Sequence, residues 1–389
     1  EKLDSDSEAA ADPKYLLSHI QGISPGISRE LARSGNPVER LEEILDSIEN
    51  GTAAPRVYLD ETGKPLEFHL TELGEYVGAQ EKTFDSVSEA TEYFYTHREE
   101  SNAIRQRSNP LHRSVQASLD KARLKKQRLG EDLLQAENSE KYRLYGKLLT
   151  ANLHRVEPGA HEVTVISYYD NQPVTIPLDE KYAASKNAQN YFKKYSKAKT
   201  AVHEKTHQLE ETSKDILYLE SVLQSIESAH TLEELNQIRE ELEDTGYVRK
   251  RAQKGFRRKK SKPQPIEYTL PTGEKVFVGR NNKENDYLTT KMAGKRDLWF
   301  HTKDIPGSHV ILPLAPNQSP EDIPEEIIYQ VASIAAYHSK GKESQNVPVD
   351  FVPIRYVKKP SGAKPGMVIF THNTTVYVDP KLPEGADGK

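Results

Sequence analysis

Four residues within one short stretch could do acid–base or metal chemistry: Asp297, His301, Asp304 and His309. Carboxylates and imidazoles together can hold a metal ion or move a proton. Their spacing matches no ligand pattern, and no nucleophile–base pair accompanies them. Hydrogen-bonded structural histidines are the better reading. The chain has no cysteine, which excludes disulfides, cysteine zinc sites and thiol catalysis. The expectation is a non-catalytic protein with no metal and no cofactor.

The second chemistry is binding of phosphate and bases. Residues 249–262 read RKRAQKGFRRKKSK, with nine Lys or Arg in fourteen positions. Here Arg249, Lys250, Arg251, Lys254, Arg257, Arg258, Lys259 and Lys260 are candidate phosphate contacts. Further on, Arg280, Lys283, Lys291, Lys295, Arg296, Lys303, Lys358, Lys359 and Lys364 add positive charge. The segment KKPSGAKPG puts three of those lysines on a glycine- and proline-rich loop, whose backbone N–H groups could hold phosphate. RNNKEND offers the guanidinium of Arg280 and the amides of Asn281 and Asn282 at a helix start. Trp299 and Phe300 could stack on bases, although WFH in mid-strand favours a core place for Trp299. His301 and His309 join Trp299 in the candidate RNA-contacting set. The net charge of −5 gives no global basic field, so the case rests on local clusters.

A third cluster gathers His154, Arg155, Lys193, Lys194, Lys197 and Lys199 with Tyr191, Phe192 and Tyr195. The tyrosines read as packing residues. The lysines are solvated surface or an RNA contact.

These groups need elements to position them. Only 35% of residues are hydrophobic and 29% are charged, the composition of long solvated helices rather than of a compact enzyme. Residues 13–98 read as a helical module with Leu16, Leu17 and Ile20 on one helix, a turn at Gly22, and Ile27 and Leu31 on a second helix capped by Ser24 and Pro25. This resembles a helix-hairpin-helix, although Ser24 stands where the second turn glycine would be; a plain helical hairpin fits equally. RVYLD and LEFHL then flank a turn and predict a small β-hairpin.

From 99 to 248 the pattern is an antiparallel coiled coil with a tip at 154–185. Val115, Leu119, Ala122, Lys126, Leu129, Leu133 and Ala136 step by fours and threes, and so do Tyr191, Tyr195, Ala198, Val202, Lys205, Leu209, Thr212, Ile216, Leu219, Leu223 and Ile226. The uninterrupted stretch after Pro110 predicts roughly 60 Å of helix. Two such helices joined by a compact β tip must fold back to bury both seams. Thr231 and Glu234 predict a capping box for one more helix. Residues 249–265 read as a basic linker and 266–380 as an α+β domain. The acidic start at 1–12 and the tail at 381–389 read as disordered. The fold class is thus multidomain, α and α+β. No apolar run approaches the roughly 20 residues of a membrane span. The start at Glu1, in EKLDSDSEAAAD, reads as a cut inside a longer protein.

VGRNNKEND, DLWFHTKDIPGSHVIL and VKKPSGAKPG closely resemble the C-terminal NFACT-R domain. TANLHRVEPG and IPLDEKYAASKNAQNYFKKYSKAK resemble the middle coiled coil of the same proteins, and YLLSHIQGISPGISREL resembles their helix-hairpin-helix. The chain is similar to the RqcH / fibronectin-binding protein A family of NFACT proteins, related to eukaryotic NEMF. The resemblance implies a cytoplasmic factor that binds large ribosomal subunits obstructed by peptidyl-tRNA, recruits alanyl-tRNA and supports C-terminal alanine tailing. It also implies a second reading, a fibronectin-binding adhesin at the cell surface. On this comparison the N-terminal NFACT-N domain, with its Asp-Arg motif, is expected to be lacking, so that this chain would not support tailing alone.

The histidine reading is testable directly. Protein purified without added metal should carry no stoichiometric zinc or manganese by elemental analysis; one bound equivalent would overturn it.

Overall fold

The computed structural model describes residues 11–61, 63–137, 139–250 and 263–383. It divides into two compact units, Glu1–Arg107 and Ser108–Lys389. The fold is mixed, with long helices and a C-terminal sheet.

Three short helices open the first unit: α1 (Pro13–His19), α2 (Pro25–Arg33) and α3 (Pro37–Glu49). Each starts with the same two-residue device. Asp12, Ser24 and Asn36 accept backbone N–H bonds through their side chains, and a proline follows at the first helical position. The cap satisfies an orphan donor, and the proline has no donor to lose there. Gly22, at φ +93°, supplies the turn between α1 and α2. Leu16, Ile27, Leu31 and Ile44 pack with Tyr58 and Leu73.

Strands β1 (Arg56–Leu59), β2 (Pro65–His69) and β3 (Gln80–Thr83) form a sheet of order β2-β1-β3. The sequence predicts only the β1–β2 hairpin. β3 escapes because QEKT is polar and exposed throughout, with no alternation to read. Helix α4 (Val87–Glu137) then begins in this unit, where Ala90 and Phe94 pack on Val57. The expected boundary near residue 98 therefore falls inside one helix.

In the second unit α4 ends at Glu137, and α5 (Glu140–Ala151) restarts the chain. The sequence predicts no such break. Ser139 stands at the position before α5 and makes no side-chain cap bond there. Past a short hairpin, β4 (Glu162–Ile166) and β5 (Pro173–Pro177), helix α6 (Ala184–Glu227) returns. It runs antiparallel to α4 and α5. His112 pairs with Glu227, Arg123 with Glu220, Asp132 with Lys205, and Glu140 with Tyr195, at 3.3, 2.6, 2.7 and 3.2 Å. As one partner's number rises, the other's falls. Val115, Leu119, Leu129, Thr212, Ile216, Leu219, Leu223 and Ile226 are buried. Between these ends the coil is thin: Lys126 is exposed, and Ala198, Val202 and Leu209 are only half-buried.

The tip has its own core of Leu148, Leu149, Val165, Ile176, Ala188 and Tyr191. The Asn187 amide donates to the carbonyls of Asp179 and Tyr182 and accepts the Asp179 N–H, pinning the turn that enters α6.

Helix α7 (Leu232–Asp244) starts with the expected capping box of Thr231 and Glu234. The C-terminal domain follows: β6 (Ile266–Thr269), β7 (Lys275–Val278), α8 (Asn282–Tyr287), a π-helical turn (Leu288–Met292), β8 (Leu298–Thr302), β9 (Val310–Leu312), α9 (Glu325–Tyr337), β10 (Val347–Pro353), β11 (Val357–Lys358), β12 (Ile369–Phe370) and β13 (Thr374–Val378). Six strands form one antiparallel sheet of order β13-β10-β8-β9-β7-β6, and β11 pairs with β12. Helix α9 covers one face, burying Phe300, Val310 and Val349 against Ile327, Val331 and Ile334. Trp299, Ile311 and Val352 point to the other face, against Leu288 and Ile354.

Gly146 on α5 tests the tip packing. A Cβ there would stand 3.0 Å from the Phe192 ring. Gly146→Val should cost ~1–3 kcal/mol through overpacking, read as a lower thermal midpoint. Adding Phe192→Ala should recover part of the loss. If it recovers none, the close contact is not the cause.

Candidate nucleic-acid interface

Arg280, Asn281 and Asn282 are consecutive, and so are their partners along one helix face. The Arg280 guanidinium donates to Glu234 at 3.0 Å, the Asn281 amide to Gln237 at 2.7 Å, and the Asn282 amide to Glu241 at 3.1 Å. Positions 234, 237 and 241 share the same stripe of α7, because three and four residues apart means one face. Asn281 also caps α8 by accepting the Glu284 N–H. The amides of Asn281 and Asn282 are buried. The polar atoms of this trio, expected to contact RNA, are engaged within the protein, where they bind α7 to the C-terminal domain.

Glu241 is the hub of that seam. It is 1% exposed, and one oxygen accepts bonds from both the Tyr218 hydroxyl and the Asn282 amide. Burial pushes its carboxyl up to about 7, against the hydrogen bonds that favour the ionised form.

Two expected loop cations are likewise engaged inside the protein. Lys364 donates to Asp215 and to the Tyr247 hydroxyl, with its ammonium 4.9 and 4.6 Å from the ring centres of Tyr218 and Tyr247. Lys359 pairs with Asp286, which also accepts the Gly366 N–H. A cation already facing a carboxylate releases fewer counterions on meeting phosphate. Lys358 is exposed and takes no such partner among the described residues.

Trp299 is buried at 1% exposure and cannot offer a face to a base. His301 and His309 stand beside it, with His301 stacked on the indole at 5.7 Å and edge-on to His309 at 5.6 Å. His309 shares a 2.7 Å bond with the Thr289 hydroxyl. Burial, with the His301 ring beside it, pushes His309 down to about 3; burial lowers His301 as well. Both rings are therefore neutral near pH 7 and bring no charge to phosphate. Among the described residues no group of three or more His, Asp or Glu could hold a metal ion.

The cationic surface lies elsewhere in the domain. The Arg355 N–H donates to the Lys295 carbonyl at 3.1 Å, which sets two exposed basic residues side by side. Lys358 follows on β11. Between them Tyr356 carries the Arg355 guanidinium 4.9 Å from its ring centre and the His372 imidazole at 4.6 Å. Sequence reasoning missed Arg355, Tyr356 and His372, because IRYV reads as ordinary strand and THNT as an ordinary turn.

Arg249 and Lys250 are exposed, with Lys250 3.9 Å from Asp244. Arg251, Lys254, Arg257, Arg258, Lys259 and Lys260 lie outside the described residues. At the tip His154, Arg155, Lys193, Lys194 and Lys197 are all exposed. The three lysines line a cleft of about 490 Å³ with Asn190, Tyr191 and Asp179. Lys194 lies 5.3 Å from the Tyr191 ring centre. Of the expected cluster, Lys193, Lys194, Lys197 and Tyr191 line the cleft, whereas His154 and Arg155 do not.

Lys358→Glu should lower the log–log salt slope of RNA binding by about one unit without changing the thermal midpoint. Lys364→Glu should lower the midpoint, because it sets a carboxylate against Asp215; equal behaviour of the two variants would contradict the pairing. Glu241→Gln should remove a pH dependence. The folded carboxyl binds its proton more tightly than the unfolded one, so wild-type stability falls as pH rises from about 4.5 to about 7. The Gln variant should lack that fall, measured as the difference between the two midpoints across this range.

Comparison with known proteins joins these features. Residues 1–263 match the family model of NFACT N-terminal and middle domains, and residues 266–372 match that of the NFACT protein RNA binding domain. The first match overturns the expectation that the N-terminal domain is lacking. The Rqc2 homolog RqcH of Bacillus subtilis is 38% identical over 94% of this chain, and that of Streptococcus pneumoniae 36% identical over 94%. The chain spans 64% of the length of each of these curated relatives. The mouse coiled-coil domain-containing protein 25 is 29% identical over 26% of the chain and 50% of its own length. A solved structure, the C-terminal part of the fibronectin/fibrinogen-binding protein from Streptococcus suis, superposes with a TM-score of 0.56 at 36% identity, over 72% of this chain and 96% of that one. By the family model that spans residues 1–263 and the second that follows it, this chain belongs to the NFACT proteins.

Proposed function

We propose that this chain is the RNA-binding part of a non-catalytic, cytoplasmic factor of ribosome-associated quality control. In this reading it binds large ribosomal subunits obstructed by peptidyl-tRNA, engages tRNA, and supports alanine tailing of the stalled chain. The observation that carries the reading is the RNA-binding-domain match at residues 266–372, in a chain akin along nearly its whole length to Rqc2 homologs. The coil supports it physically. Basic groups stand at the tip and on the C-terminal domain, and a helix fixes its own length by residue count. Incubating the chain with purified large subunits, either obstructed or empty, and sedimenting the mixtures tests this. Enrichment on the obstructed subunits is expected; no pelleting with either would sink the reading. Removing one heptad from each helix, 124–130 and 206–212, keeps the Asp132–Lys205 and Lys364–Asp215 pairs and shortens the coil by about 10 Å. The shortened chain should sediment less with subunits while binding free RNA as before; unchanged sedimentation would remove the coil from the argument.

A second reading, a surface adhesin, is supported by the likeness to the Streptococcus suis fibronectin/fibrinogen-binding protein. Saturable binding of the chain to immobilised fibronectin is the outcome it requires.

A further inference from the structure

The exposed face carrying Lys295, Arg355, Tyr356, Lys358 and His372 has the parts of a stacking site for nucleobases. Tyr356 ends the short helical turn after β10, and its carbonyl accepts the Thr371 N–H at 3.3 Å. That bond, with the β11–β12 pairing, brings His372 over Tyr356. The imidazole lies 4.6 Å from the phenol ring, and Arg355 stands 4.9 Å from the same ring. Arg355 and His372 are exposed, so this aromatic and cationic stack opens to solvent. Below it Phe370 packs 4.9 Å from the buried Trp299, which fixes the hairpin to the sheet.

Two further observations single this face out. His372 has φ +60°, an uncommon conformation for a residue with a side chain. A turn that needs only that backbone would accept glycine, so the imidazole is what the position adds. The surrounding cations are also free: no ion pair to Lys295, Arg355 or Lys358 is present among the described residues, whereas Lys359 and Lys364 face carboxylates.

We infer that this face binds unpaired RNA nucleotides, with bases stacking on the His372–Tyr356–Arg355 group and phosphates meeting Lys295 and Lys358. An unstacked base has a free face to offer; a base inside a duplex does not. The inference rests on the RNA-binding reading and adds the class of RNA and the residues.

The test compares a single-stranded oligonucleotide with a fully paired RNA duplex, by fluorescence anisotropy with the full chain. His372→Gly is the first variant, since glycine suits φ +60° and the fold is spared. It should weaken single-strand binding about tenfold, the loss of one stacked base, and leave duplex binding and the salt slope unchanged. Tyr356→Phe, which keeps the ring, should bind as wild type; Tyr356→Ala should not. Lys295→Glu with Lys358→Glu should flatten the salt slope for both RNAs. If His372→Gly and Tyr356→Ala bind single strands as wild type does, or lose both RNAs equally, the stacking site is refuted while RNA binding stands. If wild type binds neither RNA at low salt, the underlying reading fails with it.

Discussion

The C-terminal domain is joined to the base of the coil by a row of side-chain hydrogen bonds rather than by a greasy contact. Arg280, Asn281 and Asn282 meet Glu234, Gln237 and Glu241 in order, and Tyr218 and Ser221 on α6 close the row from the other side. A buried polar seam of this kind is costly to satisfy in part, because each orphaned group loses its water without replacement. It therefore accepts one register. Sliding α7 by a residue would break three bonds at once and leave Glu241 buried without partners.

That constraint decides which charges remain for a ligand. Fixing α8 against α7 brings Asp286 to Lys359 and holds Gly366 against the Asn282 side chain, where a Cβ would stand 2.4 Å from the amide oxygen. The 358–366 loop is thereby drawn onto the coil base, and Lys364 ends between Asp215 and two tyrosine rings. Its ammonium is half-buried, and burial lowers its pKa while the Asp215 and Tyr247 bonds raise it further; the net direction is up. The loop is a strut. Among the cations that stay outward are Lys358, one step before it, and Arg355 and Lys295, joined by the Arg355 N–H to Lys295 carbonyl bond.

Much of the architecture was legible because periodicity is a property of local sequence. The four-three steps mark buried positions at Val115, Leu119 and Leu129 on α4 and from Thr212 to Ile226 on α6, though not at Lys126, and Thr231 and Glu234 mark the start of α7 without ambiguity. What was not legible in the candidate site has one physical cause: charge and aromatic character read along a chain do not reveal the partner. Lys364 lies far in sequence from Asp215, and Asn282 lies far from Glu241, so both read as free polar groups. Trp299 was ambiguous for the same reason. Its strand position favoured the core, and only the sheet order, with β9 and β10 on either side of β8, closes both flanks. β3 failed for a different reason, since an exposed polar edge has no pattern to detect.

The distribution of burial along the coil has a consequence for how two contact surfaces could act together. Tyr195 and Glu211 bound a stretch of α6 that is about 25 Å of helix, with no buried side chain from 196 to 210. Burial is concentrated instead at the tip core and near Leu219, Val222 and Leu223. Apolar burial resists opening at about 25 cal/mol per Å², so the ends hold their side chains in place while the middle can bend at little cost. Each basic surface is then set locally, by Asn187 and Tyr191 at the tip and by the Arg280–Asn281–Asn282 row at the base. The coil between them fixes the length of the link more firmly than its angle.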